Sequence, residues 1–122
     1  MKVSSIYHTS IPADDLDRAE KFYTEVLGLE LTGPRVGSGL SRLKCGNDTV
    51  VLFKRPKPLG RDSFEEDGVY HQAFELDISA FDEAVATLTE AGKFHRIIER
   101  DSGRTIYFWD SEGNYEELHC SR

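Results

Sequence analysis

The chain has 122 residues, 15 Lys and Arg against 22 Asp and Glu, and a formal net charge of −7, a length that suits one domain. With 39% hydrophobic residues it is too apolar to be disordered, and its acidic balance excludes a nucleic-acid partner and an anionic membrane surface. No apolar run approaches the ~18 residues of a membrane span, the opening MKVSSIYHTS is no signal peptide, and two cysteines, Cys45 and Cys120, make no disulfide framework, so a reduced cytoplasmic setting is expected.

In chain order the elements repeat. Residues 7–28, YHTSIPADDLDRAEKFYTEVLG, run from a strand-like stretch through an acidic turn into an amphipathic helix that stops at Gly28. The helix is predicted over 15–27, with Leu16, Ala19, Phe22, Tyr23, Val26 and Leu27 on its apolar side and Asp14 as its cap. Strands follow at about 29–32, 40–45 and 49–54, the last two joined by the turn Gly46-Asn47-Asp48. The polar, Pro- and Gly-rich stretch from residue 54 to 69 reads as a connection. Residues 70–92, YHQAFELDISAFDEAVATLTEAG, then restart the plan. A second helix is predicted over 80–91, capped by Ser79 and burying Phe81, Ala84, Val85, Leu88 and Ala91. Strands follow at about 94–100, 104–109 and 115–120. The expected fold is therefore α+β: two βαβββ modules whose curved sheets form a half-open barrel. Module one spans about 1–54, the linker about 55–68 and module two about 69–122.

Four histidines are present: His8, His71, His95 and His119. His8 and His71 hold equivalent places in the repeat, mid-strand, so each projects from a sheet face. A carboxylate on a third strand would complete a two-histidine, one-carboxylate metal site with open positions. Glu117 is the candidate, sharing a face with Tyr115 and His119, while Glu116, Leu118 and Cys120 share the other. Spacing alone leaves two readings open: metal ligands, or histidines satisfied inside a barrel.

Three segments carry a resemblance. HTSIPADDLDRAEKFYTEVLGLEL at 8–31, YHQAFELD at 70–77 and IYFWDSEGNYEELH at 106–119 resemble the vicinal-oxygen-chelate superfamily, which includes glyoxalase I, extradiol dioxygenases, fosfomycin-resistance thiol transferases and bleomycin-binding proteins. The first is similar to that family's "D-x-x-x-A-x-x-F-Y-x-x-x-L-G" helix, the last to its "Y-F-x-D-P-[DE]-G-N-x-I-E-L" ending. The resemblance implies a glyoxalase/bleomycin resistance/dihydroxybiphenyl dioxygenase-like fold, with His8, His71 and Glu117 as metal ligands. Two positions depart from the pattern: Ser111 replaces the usual Pro, and Glu116 replaces Ile or Val, placing a charge on the face expected to meet the helix. The run VVLFKRP at 50–56 also lacks the carboxylate that is a fourth ligand in bacterial-type glyoxalase I.

The remaining candidates keep two readings each. Tyr107 and Trp109 are core or pocket wall; Tyr70 is a packed ring or a pocket acid; His119 reaches the pocket mouth, and His95 lies at the surface. Glu75 is a strand-end charge or a base behind His71. Arg96, Arg100 and Arg104 form a solvated strand edge or receive an anionic substrate group.

The resemblance implies an enzyme in which a small oxygenated substrate chelates a divalent cation through vicinal oxygens. The expected ion is Fe2+ or Mn2+, then Zn2+ or Ni2+, and the reaction that of a dioxygenase or a lyase or isomerase. A fosfomycin-resistance-like thiol transferase and a metal-free drug-binding protein are the alternatives. A homodimer is expected, with the barrel formed across the interface.

Overall fold

Two four-stranded mixed sheets carry the chain, each with its own helical segment. The computed structural model describes residues 1–35, 37, 39–58 and 71–122. They fall into two compact units, one within Met1–Leu59 and the other within Gly60–Arg122. Most of the expected linker, and Tyr70, lie outside the described residues. Among the described residues no helix is long and apolar enough to cross a membrane.

In the first unit β1 (Thr9–Ala13) leads through helix α1 (Leu16–Lys21) to β2 (Glu30–Leu31), β3 (Leu40–Cys45) and β4 (Asp48–Lys54). The strand order is β1-β4-β3-β2, with β1 parallel to β4 and the other pairs antiparallel. In the second unit β5 (Gln72–Glu75) leads through helix α2 (Phe81–Glu90) to β6 (Phe94–Arg100), β7 (Gly103–Trp109) and β8 (Tyr115–Ser121). Its order is β5-β8-β7-β6, and β5 is the strand parallel to β8. The two βαβββ modules read from the sequence are thus the modules of the structure.

Local chemistry differs from expectation in four places. The first helix is α-helical only to Lys21 and widens into a π turn over Phe22–Val26, where Leu27 N–H donates to Phe22 O at 3.2 Å. Thr24 Oγ1 donates back to Glu20 O at 2.7 Å, a side-chain bond that competes with the regular ladder. The turn keeps both Phe22 and Tyr23 buried before Gly28, at φ 76°, ends the segment. The cap is Asp15, which accepts from Arg18 N–H, while Asp14 binds Arg55 at 2.8 Å. At the second helix Asp77, not Ser79, is the capping residue: it accepts from both the N–H and the hydroxyl of Ser79 and opens a 3-10 turn, Ile78–Ala80, ahead of α2. Asp77 can cap from there because the turn adds three residues before the α-helix begins. Ala91 is exposed rather than buried, because the helix ends one residue before it.

Each sheet turns one face to its own helix. In the first, Ser41 Oγ donates to Glu20 Oε2 on α1, so Ser41, Leu43, Val50 and Leu52 are the helix side, packed with Ile11, Ala13, Leu16 and Ala19. Leu40, Arg42, Lys44, Thr49, Val51 and Phe53 occupy the opposite face by strand alternation. In the second, Arg104 lies over the Phe81 ring of α2 at 3.8 Å, which marks Arg104, Ile106, Phe108, Glu116, Leu118 and Cys120 as the helix side. Thr105, Tyr107, Trp109, Tyr115, Glu117 and His119 take the other face.

The turn before β8 is held by Asp110, which is fully buried. Its Oδ1 accepts from Glu112 N–H and Asn114 N–H, each at 2.8 Å, and its Oδ2 accepts from the Asn114 amide at 2.8 Å. This clamp replaces whatever stiffness a proline at Ser111 would have added. Asp110→Ala strips at least three donors of their acceptor and should cost about 3 kcal/mol in urea denaturation, against about 1 kcal/mol for Asn114→Ala, which removes the amide's bond to Asp110 and keeps both backbone donors on it.

A second network ties α1 to the loop after β2. Arg35 donates to Glu20 at 2.6 Å and pairs with Asp17. Burial disfavours the Glu20 carboxylate, yet the hydrogen bonds from Arg35 and Ser41 outweigh it and hold its pKa below the usual value. A depressed folded pKa contributes stability above the unfolded pKa and loses it as pH falls through the folded one. The destabilisation caused by Arg35→Gln should therefore be larger at pH 7 than at pH 3, as read by denaturant titration at both.

Candidate metal centre

The parallel ladders place the two repeat histidines. The first pair of β1 is Thr9↔Val50 and the first pair of β5 is Gln72↔Glu116. His8 and His71 each stand one residue ahead of these pairs, so they sit at the mouths of their strands and not in the middle of them. The reason is the partner strand: β4 and β8 have only just left their turns at that level, and little ladder remains to pair with. The residue following Glu116 is Glu117, and the residue following Val50 is Val51. Module two therefore sets a carboxylate beside its histidine where module one sets an apolar side chain.

The consequence in module two is direct. His71 Nε2 lies 2.9 Å from Glu117 Oε2; His71 is an exposed residue and Glu117 is half-buried. Two donors about 2.1 Å from one ion and at right angles stand ~3 Å apart, so this spacing is also that of neighbouring ligands in an octahedral site. A nitrogen and a carboxylate oxygen are the donor chemistry that suits a divalent first-row cation, and this pair fits such an ion. His8 belongs to the first unit and is exposed there. Among the described residues, neither unit gathers three His, Cys, Asp or Glu side chains that could hold a metal ion by itself.

Glu116 and Glu117 are adjacent and have opposite surroundings. Glu116 is fully buried on the helix side, opposite Phe108, whereas Glu117 is half-buried on the other face, opposite Tyr107.

Around Glu117 the same face gathers aromatic rings. Tyr107 is buried, its ring 6.1 Å from that of His71 and stacked on Tyr115 at 5.5 Å and 13°. Its hydroxyl accepts from Arg100 Nη2 at 2.9 Å, and the Arg96 guanidinium lies 5.5 Å over its ring. Trp109 is farther along, 5.3 Å from Tyr115. His119 shares a 3.1 Å hydrogen bond through Nδ1 with Thr105 Oγ1 on the same face. Glu75 accepts from Ser121 Oγ at 2.8 Å at the strand end. Of the three arginines, Arg104 leaves the group: it covers Phe81 on the helix side and binds Glu99.

Tyr115 and His95 were not legible as site residues. His95 is exposed, as expected, but its Nδ1 shares a 2.6 Å hydrogen bond with Tyr115 Oη, and its ring lies 4.7 Å from Trp109. The cause is a β-bulge between Phe94 and Arg96. The extra residue breaks the alternation, so His95 and Arg96 both reach the Tyr115 face. No residue type in FHRIIER announces that bulge. Burial pushes the Tyr115 phenol above its ordinary pKa, while the charge of Arg96 opposes the rise. Cys45 and Cys120 are free thiols, each raised in pKa by burial.

Comparison with known proteins places the fold in a family. The chain is 28% identical over 117 residues to glutathione transferase FosA of Serratia marcescens, covering 96% of this chain and 81% of that protein. Among solved structures, a variant of the fosfomycin resistance protein FosX from Listeria monocytogenes, complexed with Mn(II) and 1S,2S-dihydroxypropylphosphonic acid, superposes with a TM-score of 0.81 at 20% identity, covering 99% of this chain and 93% of that one. Lactoylglutathione lyase from Agrobacterium tumefaciens gives 0.74 at 25% identity, with 98% and 95% covered. The profile of the Glyoxalase/Bleomycin resistance protein/Dioxygenase superfamily matches residues 5–118, nearly the whole βαβββ repeat, and the chain belongs to that superfamily.

Proposed function

We propose that the protein is a metal-dependent enzyme in which His8, His71 and Glu117 hold a divalent cation that a small substrate chelates through two neighbouring oxygens. The 2.9 Å approach of His71 to Glu117 is the observation that carries this reading. Mn2+ or Fe2+ is the expected ion, with Zn2+ and Ni2+ next; the related FosX structure was obtained with Mn(II). When bound, the ion supplies Lewis acidity toward charge developing on substrate oxygen. The chain's own residues do the rest. Tyr107 borders His71 and excludes water from one side of it. Arg100 and Arg96, held on Tyr107, offer positive charge to the same face. The free thiols suit a reducing, cytoplasmic setting.

The reaction is that of a dioxygenase or a lyase or isomerase in the leading reading. A thiol transferase is the second, favoured by the 28% identity to a glutathione transferase. Requirement for dioxygen or for a thiol co-substrate separates the two in a turnover assay.

The metal centre itself is tested by titrating Mn2+ into the protein and following free ion by electron paramagnetic resonance. Glu117→Gln should weaken binding at least ~10-fold, as should His71→Ala, while Glu116→Gln should leave affinity unchanged and lower stability instead. Affinity of the unaltered protein should fall as pH drops through the imidazole range, since the ligand histidines must be neutral. If none of the substitutions at His8, His71 or Glu117 changes binding, the metal-free drug-binding alternative takes its place. A homodimer in which His8 of one protomer joins His71 and Glu117 of its partner should sediment as a dimer at micromolar concentration; a monomer that still binds metal would rule out the shared arrangement.

A further inference from the structure

The first module carries a feature that the metal reading leaves unused. On the face of its sheet turned away from α1 lies a cleft of about 330 Å³ whose lining includes His8, Arg42, Lys44, Thr49, Val51 and Phe53, with one carboxylate, Asp48, at the turn end of β4. Both cations are exposed, and neither makes an ion pair among the described residues. Arg35, Arg55, Arg104 and Arg122, by contrast, each pair with a carboxylate. The floor is apolar: Val51 is buried, and Phe53 keeps 40% of its surface exposed.

The ladder orders these groups in rows. Ser10, Val51 and Arg42 form one row across β1, β4 and β3, since Ser10 pairs with Val51 and Val51 with Arg42. Thr49 pairs with Lys44, and His8 lies one residue before the Thr9↔Val50 pair, so His8 and Lys44 flank Thr49. Two interstrand spacings, ~10 Å between Cα atoms, separate them. A compact molecule with an oxyanion at one end can therefore meet the cations while its other end meets the imidazole.

We propose that this cleft is a specificity pocket that receives an oxyanionic arm of the substrate, a carboxylate or a phosphate-type group, on Arg42 and Lys44, with its short apolar portion over Val51 and Phe53. The proposal rests on the reading of His8 as a metal ligand, because that is what would place the chelating end of the substrate beside the cleft. A bare anion needs no metal to bind Arg42 and Lys44, so the two ideas can fail separately.

The test uses the full chain, stripped of metal with chelator, and titrates propionate, methylphosphonate and neutral propanediol while recording amide chemical shifts. Propionate or methylphosphonate should shift residues of β3 and β4, more weakly as salt rises, and propanediol should not. Preference for one anion identifies the source of the oxyanion. The double variant Arg42→Gln with Lys44→Gln should weaken anion binding at least ~10-fold and leave Mn2+ affinity within about twofold, whereas His71→Ala should leave metal-free anion binding intact. Failure of both anions to bind, equal binding by the double variant, or loss of binding in Arg96→Gln instead would overturn the pocket. Loss of Mn2+ binding by the unaltered protein would overturn only the metal reading.

Discussion

Parallel pairing of the first strand of each module with its last strand is the constraint on which the candidate site depends. Two parallel neighbours cannot be joined by a tight turn, so the chain must cross over through a helix and return through two more strands. That path brings the start of β5 beside the start of β8, although 46 residues separate His71 from Glu117. In module one the same geometry brings His8 to the strand end where Val51, and no carboxylate, holds the place of Glu117. One fold plan used twice thus yields two histidines and a single carboxylate, and the two modules are not interchangeable.

The register of that pairing decides which charge is buried. Glu116 and Glu117 differ by one position, and a strand alternates faces with every residue, so a slip of one would exchange them. Glu116 is fully buried on the helix side, a face it shares with Arg104, Ile106, Phe108, Leu118 and Cys120, so a buried carboxylate there depends on that register being kept. The Asp110 clamp fixes the turn immediately before β8 and so fixes where alternation starts. Its effect on the candidate site is indirect, through backbone position.

Sorting of the cations follows from the same alternation, with one interruption. Arg104 takes the helix side and packs on Phe81, while Arg96 and Arg100 reach Tyr107 on the other face. Without the bulge after Phe94, His95 and Arg96 would point to opposite sides of β6. With it, Tyr115 gains a histidine partner and the aromatic row from Tyr107 to Trp109 is closed by an imidazole.

By itself the sequence determined the module plan, both helices, the strand lengths to within a residue or two, and the face assignment of Glu117 against Glu116. These follow from local signals: apolar spacing, Gly at helix ends, turn chemistry, and period-two alternation along YEELHC. The resemblance added a metal role for His8, His71 and Glu117 that spacing left open. Tertiary structure decided what depends on partners distant in the chain. Asp15 caps the first helix, while Asp14 is held by Arg55, 41 residues farther along the chain than Asp14. The π turn, the bulge at His95 and the departure of Arg104 to the helix side are settled by which hydrogen bonds and ring faces the fold makes available. No local pattern encodes those contacts, because each is a competition between surroundings that exist only once the sheet is formed.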